Sequence, residues 1–100
     1  MPGSVGADRS RVSADSYRYE FAARAVRDLE KLPESVAAAC VEFVAGALIG
    51  NPNRLGKPLR APWVGHWSAR RGDYRVIYLI DDQTRVVRVV HIDHRGRVYR

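Results

Sequence analysis

The segment Tyr74 to Ile80 (YRVIYLI) constrains the fold more than any other part of this chain. It is apolar on both of its alternating faces except at Arg75, which is typical of a strand in the middle of a sheet. Turn-forming residues precede it at Gly72-Asp73 and follow it from Asp81 to Thr84. Two alternating segments lie beyond these turns, at residues 65–71 and 85–92. The pattern predicts an antiparallel meander of three strands.

Two amphipathic helices are predicted before the meander. Apolar residues recur at helical spacing from Ala22 to Leu32 and from Val36 to Leu48, with Pro33 between the two segments. The alternating segment Tyr17 to Phe21 predicts an additional strand at the start. The order β-α-α-β-β-β indicates an α+β domain in which an antiparallel sheet packs against an α-helical hairpin.

One domain, residues 17–100, accounts for all of these elements. Residues 1–16 show no periodicity and are expected to form a flexible leader outside the fold. Residues 51–64 contain three prolines and a glycine, so we expect a loop without regular structure there. Cys40 is the single cysteine and lies in the apolar helical pattern, which favours a buried small side chain and a reducing, cytoplasmic location.

The charge of the chain is unevenly distributed. The net charge is +6, yet residues 1–55 hold seven Lys or Arg and seven acids, whereas residues 56–100 hold ten against four. One basic face is therefore expected, with phosphate backbones or acidic protein segments as partners. A membrane is a poor partner because the charges alternate with apolar strand residues and no segment reaches the length of a span.

The basic half also carries the only residues that suggest chemistry. The chain has no Gly-rich phosphate loop, no metal-ligand spacing and no nucleophile motif, so we expect no cofactor and no metal. RNA supplies its own nucleophile, the 2′-OH, and an enzyme can cleave it with fixed charges and a proton acceptor. His91 alternates with strand residues and is interpreted as structural. Basic residues and one tyrosine cluster at the predicted strand ends, namely Arg70, Arg71, Arg75, His94, Arg95, Arg97 and Tyr99.

Three segments resemble the RelE branch of the RelE/ParE toxin superfamily. They are LGKPLR at 55–60, ARRGDYRVIY at 69–78 and HIDHRGRVY at 91–99. The pair of motifs G-D-Y-R-V-x-Y and H-R-x-x-V-Y is fairly specific in so short a chain, and the resemblance covers residues 17–100. It implies a metal-independent endonuclease that cleaves mRNA in the ribosomal A site and contacts 16S rRNA. It also implies an acidic RelB-like antitoxin as partner.

The resemblance assigns roles to individual residues. The arginine of the Tyr-Arg pair is Arg75, the arginine after the last long strand is Arg95, and the C-terminal tyrosine is Tyr99. The family's lysines on the first meander strand have no counterpart, because His66, Ser68 and Arg70 occupy that face, and the proton acceptor stays open. The predicted catalytic residues are Arg70, Arg75, Arg95 and Tyr99. The predicted RNA-binding residues are Lys57, Arg60, His66, Arg71, His94 and Arg97.

Two other functions are compatible with the same fold. A ParE-like toxin would poison DNA gyrase without nuclease chemistry, and an inactive module would bind RNA or a partner through basic strands alone. The H-R-x-x-V-Y tail and the arginines of the meander favour the nuclease.

Overall fold

The computed structural model describes residues 17–94. The predicted leader and the predicted site residues Arg95, Arg97 and Tyr99 lie outside the described residues. Within them the elements are β1 (Arg18–Phe21), α1 (Ala23–Glu30), α2 (Glu34–Phe43), α3 (Pro52–Leu55), β2 (Lys57–Pro58), β3 (Trp67–Arg71), β4 (Tyr74–Asp81) and β5 (Val86–His94). A π-helical turn, Val44–Leu48, continues α2.

The five strands form one sheet in the order β1-β5-β4-β3-β2. The predicted meander is confirmed, since β3 pairs antiparallel with β4 and β4 pairs antiparallel with β5. The turn at Gly72 has a φ of 59°, a left-handed backbone that glycine adopts without a steric penalty. As YRVIYLI predicts, β4 is the middle strand of the sheet.

The first strand departs from the predicted antiparallel sheet, because β1 pairs parallel with β5 from Arg18↔Val86 to Phe21↔Val89. The meander strands are joined by tight turns and must therefore alternate in direction. A long helical connection separates β1 from the meander, so β1 can pair in either direction. Glu20 of β1 and Arg88 of β5 form an ion pair of 2.8 Å across this ladder.

The prediction that residues 51–64 lack regular structure is wrong in its first half. Pro52 begins α3, a position where the missing N–H of proline costs no hydrogen bond. Lys57 and Pro58 then pair with Ser68 and Trp67 as a short edge strand, where proline is tolerated. The prolines therefore start and delimit short elements, and only the segment after β2 is a loop.

The helical hairpin covers one face of the sheet, as predicted. The largest fully buried side chains come from both layers, namely Tyr78, Leu48, Val44, Val76, Val87, Val89 and Cys40. The Tyr78 hydroxyl donates a buried hydrogen bond of 2.7 Å to the carbonyl oxygen of Pro52. Cys40 is buried, which confirms its interpretation as a core residue. None of the helices between residues 17 and 94 is long and apolar enough to cross a membrane.

The buried Cys40 and Tyr78 predict a loss of stability at alkaline pH. Burial raises the pKa of Cys40 to about 11 and that of Tyr78 to about 12, so the fold favours their neutral forms. The unfolded chain releases these protons nearer pH 9 and pH 10. Stability should therefore be complete below pH 9 and should fall as the pH rises toward 12. Urea midpoints at pH 7, 9, 10 and 11 measure this, and a midpoint that stays constant would contradict it. Cys40→Ala should flatten the fall between pH 9 and 11.

Candidate functional site

Two arginines face each other on the side of the sheet away from the helices. Arg70 of β3 lies opposite Arg75 of β4, and Arg75 lies opposite Asp93 of β5. Since opposed residues on neighbouring strands project from the same face, the three side chains form one row. Arg75 Nη2 is 3.8 Å from Asp93 Oδ2, and the Arg75 side chain is 47% exposed. In the structure Arg70 and Arg75 therefore lie on one face of the sheet, as predicted.

This row is suited to binding an anion. Like charges directly opposite each other on a sheet are unfavourable unless a counter-charge joins them. Asp93 is the counter-charge in this row, and it lies beside Arg75. Arg70, Arg75 and Asp93 line a shallow pocket together with Asp73 and Tyr74. A phosphate between the two guanidinium groups would relieve the repulsion and accept hydrogen bonds from both.

A second row on the same face lies next to the first. It runs across four strands through Lys57, Ser68, Ile77 and His91. Lys57 thus faces the same side of the sheet as the arginine pair and adds a third cation there. Arg60 follows in the loop after β2 and is exposed.

Two of the predicted RNA-binding residues do not join this face. Arg71 is the register partner of Tyr74, so it projects toward the helices, and its guanidinium lies 5.5 Å from the centre of the Phe43 ring. His94 is also opposite Tyr74 and projects to the helix side by register. The strict alternation of a strand explains both placements, because neighbouring residues must point to opposite faces.

An aromatic and acidic group lies at the edge of β5, which α1 reaches directly after β1, so that Asp28 meets this side of the sheet from the edge and not across the helix-covered face. His91 Nδ1 is 2.7 Å from Asp28 Oδ2, and the ring of Trp63 lies parallel to the His91 ring with centroids 6.4 Å apart. The predicted RNA-binding residue His66 meets Trp63 edge to face at 5.1 Å. The loop after β2 therefore crosses the open face, which leaves Ile77 only 7% exposed.

The carboxylate of Asp28 has a second polar partner besides His91. It also accepts a hydrogen bond of 3.0 Å from the backbone N–H of Ile92. Burial opposes the charge, but the Ile92 and His91 hydrogen bonds outweigh it, and the pKa of Asp28 is lowered. Sequence reasoning missed Asp28 and Trp63, and it assigned His91 a structural role only. No sequence signal links residues 28 and 91, because α1 and β5 meet only through the tertiary fold. Among residues 17–94 no group of three His, Cys, Asp or Glu is placed to hold a metal ion.

Comparison with known proteins identifies the class to which this chain belongs. A family model described as the ParE toxin of type II toxin–antitoxin systems (parDE) matches residues 19–99. Toxin RelE of Mycobacterium tuberculosis is 57% identical over 84 residues, which are 84% of this chain and 87% of that protein. Toxin RelG of the same organism is 49% identical over 84% of this chain and 97% of its own length.

A solved structure agrees with these two relatives. A chain of the toxin–antitoxin complex RelBE2 from Mycobacterium tuberculosis is 49% identical and superposes with a TM-score of 0.78, covering 80% of this chain and 99% of that chain. The chain therefore belongs to the RelE/ParE family of toxins from type II toxin–antitoxin systems, and it is a RelE-type member. The fold and the family that its sequence motifs predict are confirmed.

Proposed function

We propose that the protein is a ribosome-dependent endoribonuclease that cleaves mRNA and that an acidic antitoxin silences. The facing pair Arg70 and Arg75 is the observation that supports this most directly. Two guanidinium groups on one exposed face match the oxygens of a phosphodiester and the extra charge of its pentacoordinate transition state. The names of the relatives, RelE and RelG, favour the same branch of the family.

The proposed reaction uses the 2′-OH of the RNA as nucleophile. The 2′-oxygen attacks the adjacent phosphorus, the bond to the 5′-oxygen breaks, and the arginine pair neutralises the charge that accumulates on the phosphoryl oxygens. Arg95 and Tyr99 are proposed to complete this site from the C-terminal tail, with Arg95 as a further phosphate contact. Lys57 and Arg60 are proposed to hold the flanking RNA backbone by charge.

The experiment that tests this function combines two assays. Purified toxin is added to ribosomes that carry an mRNA with a defined codon in the A site, and the RNA ends are mapped by primer extension. New ends in the A-site codon, absent with free mRNA, are the expected result. Because the matching family model is described by the name ParE, DNA gyrase supercoiling is measured in parallel. Inhibited supercoiling without RNA ends would overturn the proposal in favour of a gyrase poison.

The antitoxin is proposed to be an acidic segment that covers the basic face. The RelBE2 relative was solved as a toxin–antitoxin complex, and the ten Lys or Arg of residues 56–100 would match a negatively charged partner here. A segment that folds on binding can wrap such a surface.

Binding of this antitoxin should weaken as salt rises. Exposed charge contacts are screened when the Debye length falls from about 10 Å at 0.1 M salt toward about 5 Å at several times that concentration. Titration calorimetry of the purified pair at 0.1 M and 0.4 M NaCl measures the effect, and we expect at least a tenfold rise in Kd. An affinity that does not change with salt would show that apolar contacts alone hold the complex.

A further inference from the structure

The pairing of Asp28 with His91 fixes which nitrogen of the imidazole carries a proton. Asp28 is ionised because its pKa is lowered, and an ionised carboxylate can only accept hydrogen bonds. The contact of 2.7 Å therefore requires a proton on His91 Nδ1. In the neutral ring Nε2 then carries the lone pair, and Nε2 is the atom that can accept a proton from a substrate.

His91 also lies beside the arginine row. It is two residues from Asp93 on β5 and projects from the same face as Arg75. A cavity of about 250 Å³ opens between α1 and the end of β5, and Asp28, Lys31, His91, Asp93 and His94 are among the residues that line it. Asp93 lines both this cavity and the Arg75 pocket, so the two are neighbours on either side of its side chain.

The surroundings of His91 hold the ring while leaving part of it open. Its side chain is 20% exposed, and Trp63 lies parallel to it with an interplanar angle of 6°. An aromatic neighbour limits the water around the ring and restricts its rotation, while the carboxylate sets its orientation. An imidazole that is held by a carboxylate and is partly open to solvent can exchange a proton with a ligand in a fixed orientation.

We propose that His91 is the proton acceptor of the cleavage reaction and that Asp28 is its positioning residue. The inference rests on the proposed nuclease function and supplies the base that the sequence leaves open. His91 Nε2 takes the proton of the 2′-OH as the 2′-oxygen forms its bond to phosphorus. The bond from phosphorus to the 5′-oxygen breaks, and that oxygen takes a proton from water. The products are a 2′,3′-cyclic phosphate and a 5′-hydroxyl, and the imidazolium returns its proton to solvent.

Charged groups of both signs face His91. Asp28 from α1 and Asp93 from β5 favour the imidazolium that forms during the step, whereas Lys31 and Arg75 oppose it. His66 reaches the ring through Trp63, and its Nδ1 is buried without a hydrogen-bond partner, as is Nδ1 of His94. The two carboxylates are therefore the groups of this cluster that stabilise the charge which the ring gains during the step.

The test compares three variants in single-turnover cleavage of ribosome-bound mRNA between pH 5.5 and 8.5. The wild-type rate should rise with pH, since a general base acts in its neutral form. His91→Gln should lower the rate at pH 7.5 by about a hundredfold and remove the rise, as loss of a general base does. Glu30→Gln is an exposed acid-to-amide control on α1 and should behave as wild type.

Asp28→Asn separates positioning from structure. Both contacts of the carboxylate fall on Oδ2, so an asparagine whose amide oxygen takes that place can still accept from Ile92 and from His91 Nδ1, while the negative charge that favours the imidazolium is lost. We expect at least a thirtyfold slower reaction with a melting temperature close to wild type. Nitrogen NMR of the labelled wild-type protein reads the neutral tautomer directly, which keeps the idea testable if a variant fails to fold. A neutral ring protonated at Nε2 would overturn it.

The outcomes distinguish failure of the proposed function from failure of the role proposed for His91. If wild type does not cleave ribosome-bound mRNA, the proposed function itself is wrong. If wild type cleaves and His91→Gln cleaves at the same rate with the same pH dependence, the nuclease stands and His91 is not its base.

Discussion

Replacing Arg75 by alanine should lower the rate of mRNA cleavage on the ribosome by about two to three orders of magnitude. Loss of a single group that contacts transition-state charge typically has this effect. The side chain is 47% exposed and its ion pair with Asp93 spans 3.8 Å, so its removal should cost less than about 1 kcal/mol of folding free energy. Single-turnover kinetics and a thermal melt on the same sample measure both quantities.

Arg75→Lys and Arg88→Ala make this prediction specific. Lysine keeps the charge but loses the planar fork, so an intermediate rate is expected. Arg88 lies on β5 with a side chain 48% exposed and paired to Glu20, which makes it a control of matched exposure away from the arginine row. Its alanine variant should cleave within about twofold of wild type. If Arg75→Ala folds, binds antitoxin and cleaves at the wild-type rate, the phosphate is bound elsewhere.

The parts of the fold that the sequence predicts are those that depend on local pattern. The meander follows from alternation and turn residues, and the arginine row follows from it, because a strand of known register fixes which side chains share a face. By the same rule Arg71 could have been assigned to the helix side of the sheet, since it adjoins Arg70 on one strand.

The parts that the sequence did not predict depend on contacts between distant segments. The pairing of Asp28 with His91 joins residues 63 apart, and neither residue type is unusual in its own element. The parallel pairing of β1 and the edge strand β2 are likewise set by where the chain returns, not by its local composition. Propensity is a weak guide at such positions because tertiary context overrides it.

Gly56 illustrates a tertiary constraint that composition conceals. Its backbone is extended, with φ −112° and ψ 178°, so any residue could adopt the conformation. A Cβ atom there would overlap the Tyr78 hydroxyl and lie 2.9 Å from Tyr78 Cζ and 3.0 Å from the carbonyl oxygen of Ser68. Glycine is therefore required at this position by the close approach of a buried ring, and not by backbone freedom.

Gly56→Ala should destabilise the protein by about 2 to 4 kcal/mol. Tyr78 is fully buried, so the ring can yield only by breaking its hydrogen bond to Pro52 or by displacing α3 and β2. Overpacking of this kind costs about 1 to 3 kcal/mol, and an unsatisfied buried carbonyl adds about 1 kcal/mol or more. For a domain of this size the melting temperature should fall by about 10 to 25 °C, which differential scanning calorimetry measures.

Two companion variants decide whether the clash with Tyr78 is the cause. Gly46→Ala changes a helical glycine whose Cβ would meet no atom within 4 Å, and it should be neutral or stabilising by about 0.5 to 1 kcal/mol. Tyr78→Phe removes the hydroxyl that overlaps the new methyl group. The double variant Gly56→Ala/Tyr78→Phe should therefore lose less stability than the sum of the two single variants, with a coupling of about 1 kcal/mol or more. Strict additivity would mean that the methyl group is accommodated elsewhere and that Tyr78 does not require the glycine.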